Sequence, residues 1–348
     1  MVEVKTMSLD NKTILITGGV GSFGQKFVQM VLAGHNPKSI RVYDNRELAS
    51  VEMERNLSDK RVRFLLGDIR DKARLSRAMN GVDIVVHAAA LKHVPICEYN
   101  PIEAIRTNVD GSINVIDAAL NNGVSKVMLV STDKAVQPVN LYGATKMVAE
   151  KLFVQGNSYA GDKKTIFSVA RYGNVVGSSG SIVPLFKEQK EKGEVTITHQ
   201  DMTRFWISLE QGVYFVIQSI ANMKGGEIFI PKIPSMKIVD VADIIAPEAS
   251  KKIIGMRPGE KLHEVLLTPE EASHTKEFDE FYMIEPEFAF WSVNKEGRGG
   301  VELQIGFSFS SDTNTAWLSK EEMEKMGQST VLNYEQEYPI RTSMDSAR

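Results

Sequence analysis

The stretch ILITGGVGSFG at residues 14–24 decides the fold. The apolar run Ile14-Leu15-Ile16, closed by Thr17, leads into a turn carrying Gly18, Gly19, Gly21 and Gly24, and an amphipathic stretch at 22–33 follows. The glycines satisfy a GxxGxxG spacing and, read from Gly19, a GxGxxG spacing, with a strand before and a helix after. Glycine in this context permits a tight turn and lets the backbone approach a pyrophosphate held at the positive end of the helix dipole. Without a ligand the same stretch is a glycine-rich turn. The loop specifies a dinucleotide and leaves the reaction open.

Working outward, the chain alternates between apolar runs and helical patterns. IRVYD (40–44) precedes a helical 46–57, RVRFLLGD (61–68) precedes 71–79, and DIVVHAA (83–89) precedes 101–121. KVMLVST (126–132), a helical 140–156 and TIFSVARY (165–172) complete the series. Continuous apolar runs fit strands buried on both faces, and their alternation with helices predicts a parallel, doubly wound α/β sheet of the Rossmann type. After Gly173 the rhythm breaks into a GSSGS turn (177–181), a strand at 195–198, a helix at 209–222 and EIFIP (227–231). The expected division is a Rossmann domain at 11–176 with a returning segment near 209–232, and a smaller irregular substrate-binding lobe at 177–208 and 233–326. Residues 1–10 and 327–348 read as terminal extensions.

Composition narrows the function classes. The 348 residues carry 41 Lys plus Arg against 44 Asp plus Glu, a net charge of −3 that offers no field for a nucleic-acid backbone or an anionic lipid surface. Cys97 is the only cysteine, so no intrachain disulfide forms, and the six histidines show no metal-ligand spacing, so no metal is expected. The N-terminus lacks a signal-peptide apolar core and no run is long enough to span a membrane, so the expected location is cytoplasmic, with no membrane partner.

Asp44 ends the second strand about 20 residues past the last glycine, where an acidic side chain bonds the adenosine ribose; this favours NAD, while Arg46 could face a 2′-phosphate instead. Asp68 is placed to meet the adenine, or else to cap the helix at 71–79. With these, Gly18, Gly21, Ser22, Phe23, Gly24, Ile69, Ala88, Lys92, Tyr142 and Lys146 make up the candidate cofactor site. Tyr142 and Lys146 form YxxxK on one helix face at the carboxyl edge of the sheet, where the lysine ammonium would stabilise a tyrosine phenolate; Tyr159 and Lys163 share the spacing but run into a loop. Ser131-Thr132-Asp133-Lys134 ends the fifth strand just upstream. The Asp133-Lys134 pair also reads as a salt-bridged surface turn, and His93 and Cys97 as packing residues without triad spacing.

These residues resemble the extended short-chain dehydrogenase/reductases, and within them the nucleotide-sugar 4,6-dehydratases. STDKAVQPVNLYGATK (131–146) is similar to the configuration-inverting UDP-N-acetylglucosamine 4,6-dehydratases that begin pseudaminic acid synthesis, as are AAALKHVP (88–95), RYGNVVGSSGS (171–181), MTRFWISLE (202–210), GGEIFIPKIPSMKI (225–238) and RPGEKLHE (257–264). The resemblance implies that Tyr142, helped by Lys146, takes the C4 hydroxyl proton and Thr132 bonds the C4 oxygen. A neutral Lys134 would remove the C5 proton, and a protonated Asp133 would donate to the departing C6 hydroxyl. It also implies UDP-N-acetylglucosamine as substrate, met by Lys92, Asn174, Arg204, Arg257 and Glu260, and NADP as a tightly held cofactor regenerated in each turnover. Relatives with NADP tend to carry Ser-Arg where this chain has Asp44-Asn45, which keeps NAD in contention. A homo-oligomer is expected, a dimer at least, with a hexamer also open. The rival readings are a nucleotide-sugar 4-epimerase, which has no use for Asp133-Lys134, and a non-catalytic NAD(P)-sensing protein.

Overall fold

Apolar runs without polar alternation need cover on both faces of a sheet, and the strands of this chain take that form. In the computed structural model, which describes residues 9–178, 181–288, 290–291 and 299–328, they are β1 (Thr13–Thr17), β2 (Ser39–Asp44), β3 (Val62–Leu66), β4 (Ile84–His87), β5 (Lys126–Thr132) and β6 (Ile166–Tyr172). β1 and β4 are buried at every position. The six pair in parallel in the order β3-β2-β1-β4-β5-β6. Residues 1–8, Ser179, Gly180 and 329–348, which include most of both expected extensions and part of the GSSGS turn, lie outside the described residues.

Helices α1 (Ser22–Gly34), α2 (Glu47–Leu57) and α3 (Lys72–Met79) join the first four strands. Between β4 and β5 the single helix expected at 101–121 is instead α4 (Val94–Tyr99), α5 (Pro101–Ile105), a π turn at Arg106–Asp110, and α6 (Gly111–Asn122). The π turn serves Asn108, whose amide accepts from Leu91 N–H at 2.8 Å and donates to Leu91 C=O at 2.9 Å and to Thr145 Oγ1 at 3.0 Å. One buried side chain thus pins the loop after β4 to α7 (Leu141–Gly156), as π turns at functional sites often do. The cap of α3 is Asp71, which accepts from Arg74 N–H, and not Asp68.

Beyond β6, Ile228–Pro231 adds a further parallel strand. Phe281–Ile284, Thr275–Glu277 and Val301–Glu302 then extend the sheet antiparallel to ten strands. The sequence placed these last three in the lobe, but they belong to the main sheet: each is short, and aromatic contacts such as Phe229 with Phe281 at 5.9 Å seat them there. A second core gathers Phe186, Val195, Ile197, Met202, Trp206, Met236, Val241 and Leu318. It sits under the strands Asn174–Val175, Thr203–Ile207 and Ser235–Lys237 and the helix Ile182–Glu191. No helix among the described residues is long and apolar enough to cross a membrane.

His87, fully buried at the end of β4, links the layers. Ser112 gives its hydroxyl proton to Asn108 C=O at 2.6 Å, so it accepts from His87 Nε2 at 3.2 Å, while Thr17 Oγ1 meets Nδ1 at 2.7 Å. Burial, and then the Lys146 ammonium, press its pKa down to about 3. The neutral ring is therefore native, the unfolded chain binds the extra proton, and stability falls as pH drops from 6.5 toward 3. Urea unfolding at pH 7 and pH 5 should show His87→Asn relieved of about 2 kcal/mol of the acid-side loss that the parent suffers; equal losses would contradict a neutral buried ring.

Candidate active site

Parallel strands send all their carboxyl ends to one edge, and the order reverses between β1 and β4, which opens a crevice at that edge. A groove of about 1240 Å³ occupies it, running from the glycine loop past the ends of β2 to β6 to Arg204, Arg257 and Glu260 on the outer segments.

The glycine loop fits a dinucleotide pyrophosphate. Gly18 has φ +68°, and a Cβ there would stand 2.8 Å from the Ala89 backbone, so only glycine lets β1 turn beside the end of β4. Gly21 is the cap of α1 and offers no side chain to it, and the first turn carries no carboxylate, an arrangement suited to an anion. Ser22, Phe23, Ile69 and Ala88 line the groove with Gly18 and Gly21, while Gly24 packs behind the loop against Gly19.

Asp44 is buried, and both of its oxygens are engaged. Oδ2 accepts from Val20 N–H at 3.2 Å and from Arg46 at 3.3 Å, and Oδ1 accepts from Arg46 Nε at 3.1 Å. Asp68 is similarly gripped by Arg70, at 2.7 Å, whose guanidinium holds that carboxyl below the usual range. Both aspartates line the groove already paired, a feature the local sequence did not show.

At the catalytic end, Tyr142 opens α7 behind the cap Asn140, which accepts from Gly143 N–H at 2.8 Å and donates to Gly259 C=O at 2.8 Å. Gly143 lets α7 press onto the short 3-10 turn Asp133–Ala135, since a Cβ would run into the Lys134 carbonyl. Burial pushes the Tyr142 phenol up to about 12, opposed by the Lys134 ammonium and a hydrogen bond with Thr132. In this structure the ammonium that eases the phenol is that of Lys134. Lys146 Nζ donates to Val130 C=O at 2.8 Å, and burial brings its pKa down to about 8, with Glu150 opposing.

Lys134 stands among carboxylates. Its Nζ donates to Asp133 Oδ1 at 3.0 Å and to Asn174 Oδ1 at 3.2 Å and lies 3.6 Å from Glu264 Oε1. Although burial works against the charge, the Asp133 and Glu264 carboxylates outweigh it and raise the pKa above the ordinary lysine value. Asp133 is wholly buried; Oδ1 also accepts from Thr132 Oγ1 at 3.0 Å, and Oδ2 has no hydrogen-bond partner among the described residues. Lys92 lines the groove, where burial and then the Lys134 ammonium lower its pKa.

Of the other expected substrate residues, Arg257 and Glu260 line the groove, with Arg257 N–H donating to Glu260 Oε2 at 3.4 Å. Arg204 lines it too, but its guanidinium is committed to the Thr203, Leu262 and Lys261 carbonyls and to Glu264. Glu264 stood inside the RPGEKLHE motif without being singled out, because only the fold brings it to Lys134. Glu150 was likewise unmarked. It accepts from Ser131 Oγ at 2.6 Å and pairs with Arg171 at 2.7 Å, and Arg171 in turn holds Glu271, tying α7 to the outer segment. His93 lines the groove, and Cys97 packs with Ala104 and Tyr142.

A family model described as a polysaccharide biosynthesis protein matches residues 14–286. A Campylobacter jejuni UDP-N-acetylglucosamine 4,6-dehydratase (inverting) is 52% identical over 90% of this chain and 96% of its own length. A Rickettsia canadensis UDP-glucose 4-epimerase is 38% identical over 94% of this chain and 98% of its own. Among solved structures, Pen from Bacillus thuringiensis superposes with a TM-score of 0.84 at 35% identity, covering 92% of this chain and 98% of that one. DesIV, the dTDP-glucose 4,6-dehydratase of Streptomyces venezuelae with NAD and TYD bound, gives 0.65 at 25% identity, with 72% of this chain and 86% of that one covered.

Proposed function

The chain belongs to the polysaccharide biosynthesis protein family, and from that membership we propose that it catalyses the inverting 4,6-dehydration of UDP-N-acetylglucosamine. The observation that carries this reading is the Asp133-Lys134 pair, 3.0 Å apart and beside Tyr142 at the sheet edge. Oxidation at C4 alone, or C4 epimerisation, asks only for Tyr142; elimination across C5 and C6 asks for a base and an acid as well.

The residues carry the steps as follows. Tyr142 takes the C4 hydroxyl proton, with Thr132 beside the developing C4 oxygen. Held by the glycine loop, the nicotinamide dinucleotide supplies the two-electron acceptor for C4 and the matching donor for C6. The C4 ketone acidifies the C5 proton. Lys134 and Asp133 together hold one mobile proton, and its passage along their hydrogen bond turns the ion pair into a neutral amine and a carboxylic acid. The amine takes the C5 proton, the C5–H electron pair becomes the C5=C6 bond, and the acid protonates the departing C6 oxygen, which leaves as water. The ammonium and carboxylate are then restored, so the pair needs no exchange with solvent. C5 then takes a proton from solvent on the opposite face, which inverts it, and Tyr142 passes to solvent the proton it took from the C4 hydroxyl, so the protons balance over the cycle.

Lys92, Arg257 and Glu260 are proposed to meet the UDP moiety, with Asn174 and Arg204 holding the site's charged groups. For the cofactor we propose NADP, because Arg46 already neutralises Asp44 and its side chain is half exposed, ready to meet a 2′-phosphate. Dinucleotide released on denaturation should be NADP; NAD would return Asp44 to the ribose. The active form in this reading is a homo-oligomer, a dimer at least, supported by exposed Ile96, Tyr99, Ile102 and Val148 on the helices of the α4–α7 region, and it works in the cytoplasm, where nucleotide sugars are drawn on.

Purified protein given UDP-N-acetylglucosamine without added cofactor should yield a sugar nucleotide lighter by one water by mass spectrometry. A C4 epimer of unchanged mass, even with NAD and NADP supplied, would replace this reading with the epimerase.

A further inference from the structure

An ammonium has three N–H donors, and one on a four-carbon stem wanders unless all three are received. Lys134 reaches the groove from the turn after β5, and the groups around its ammonium come from three separate places; Asp133 and Asn174 accept hydrogen bonds from it, and Glu264 at 3.6 Å faces it as an ion-pair partner. Asp133 neighbours it in the chain, Asn174 follows β6, and Glu264 arrives from the outer segment just ahead of the strand Val265–Leu267. Glu264 is itself moored. Its N–H donates to Ser311 Oγ at 2.9 Å, and its carbonyl accepts from Ser311 N–H at 2.8 Å. Its buried carboxylate lies 3.8 Å from Arg204 Nε and 3.5 Å from Lys261 Nζ, with Oε2 left without a hydrogen bond among the described residues. A carboxylate with this much cationic company and only 2% of its surface exposed is costly to keep unless its place matters.

We infer that Glu264 is a positioning residue of the site: with Asp133 and Asn174 it completes a three-sided seat that fixes the Lys134 amine in the groove. The seat follows from geometry alone, while its kinetic consequence rests on the dehydratase reading. The groups facing Lys134 are Asp133 and Glu264, which favour its charge, Arg204, which opposes it, and Lys92 and Tyr142 across the groove, each of which feels the ammonium in turn. Losing the Glu264 charge leaves Lys134 facing Arg204 with one carboxylate fewer, so the amine loosens and its proton is held less firmly.

The test is hydrogen exchange at the Lys134 ammonium, read by NMR on protein with labelled lysine and assigned with Lys134→Arg. The parent should give a slowly exchanging ammonium signal, and Glu264→Gln should speed its exchange about tenfold or more, while Glu264→Asp, which keeps the charge one methylene further back, falls between. With UDP-N-acetylglucosamine, Glu264→Gln should lower kcat about tenfold or more and leave KM within about threefold. Exchange in Glu264→Gln equal to the parent overturns the seat. If that variant does not fold, Glu264→Asp indistinguishable from the parent in exchange and kcat overturns it equally. Faster exchange in an enzyme that dehydrates no UDP sugar supports the seat and removes the dehydratase reading instead.

Discussion

Lys134→Ala is expected to stall the reaction after C4 oxidation. Dehydration should fall by about a thousandfold, the scale of losing a general base, while reduced nicotinamide accumulates on mixing with substrate. The accumulation should itself be slower than the parent's first oxidation, because the ammonium that favours the Tyr142 phenolate is gone. An epimerase would largely survive the change, since it takes no proton from C5. The substitution also strips Asp133 and Glu264 of the cation they share, and a buried carboxylate without a partner destabilises the fold. Thermal unfolding of the variant belongs beside the kinetics: a folded protein that oxidises and does not eliminate is the expected result, and full dehydration would dismiss Lys134 as the base.

Tyr142→Phe should block the step before that one. The phenol is buried against Cys97 and Ala104, so phenylalanine keeps the packing and the fold, and the loss is that of one hydroxyl. Turnover should drop about a thousandfold or more, with no reduced nicotinamide appearing at any time. The contrast between the two variants orders the chemistry: oxidation without elimination in one, neither in the other. Because the phenol is held up to about 12 in the free protein, its ionised fraction grows with pH across the neutral and alkaline range. The rate of C4 oxidation should therefore rise from pH 7 to pH 9 in the parent and lose that rise in Tyr142→Phe.

Much of the fold was legible because it is written locally. Strands such as β1 and β4 are buried on both faces and so appear as unbroken apolar runs, and the glycine loop between β1 and α1 needs its glycines within seven residues of chain. The outer strands were hidden for the opposite reason. Asn174–Val175, Ser235–Lys237 and Val301–Glu302 are two or three residues long, too short for a period, and their partners lie far away in sequence. The π turn at Arg106–Asp110 has no mark of its own, since it exists for the contacts of Asn108 with Leu91 and Thr145.

The site divides the same way. Tyr142, Lys146, Asp133 and Lys134 could be named from one helix start and one strand end, but their charge states could not. Lys134 keeps its charge against burial because Asp133 and, from another part of the chain, Glu264 at 3.6 Å together outweigh the desolvation, and Lys146 is drawn to the Val130 carbonyl. Asp44 ends β2 and Asp68 lies two residues past the end of β3, both lining the groove, yet nothing local announced that Arg46 and Arg70 would already be paired with them.

The central claim is elimination with inversion at C5, and conversion of UDP-N-acetylglucosamine in heavy water tests it most directly. NMR of the product should show one deuterium at C5, a C6 methyl group in place of the hydroxymethyl, and the ring couplings of the L-arabino configuration. A product that keeps its original C5 configuration, or that lacks deuterium there, would contradict the account.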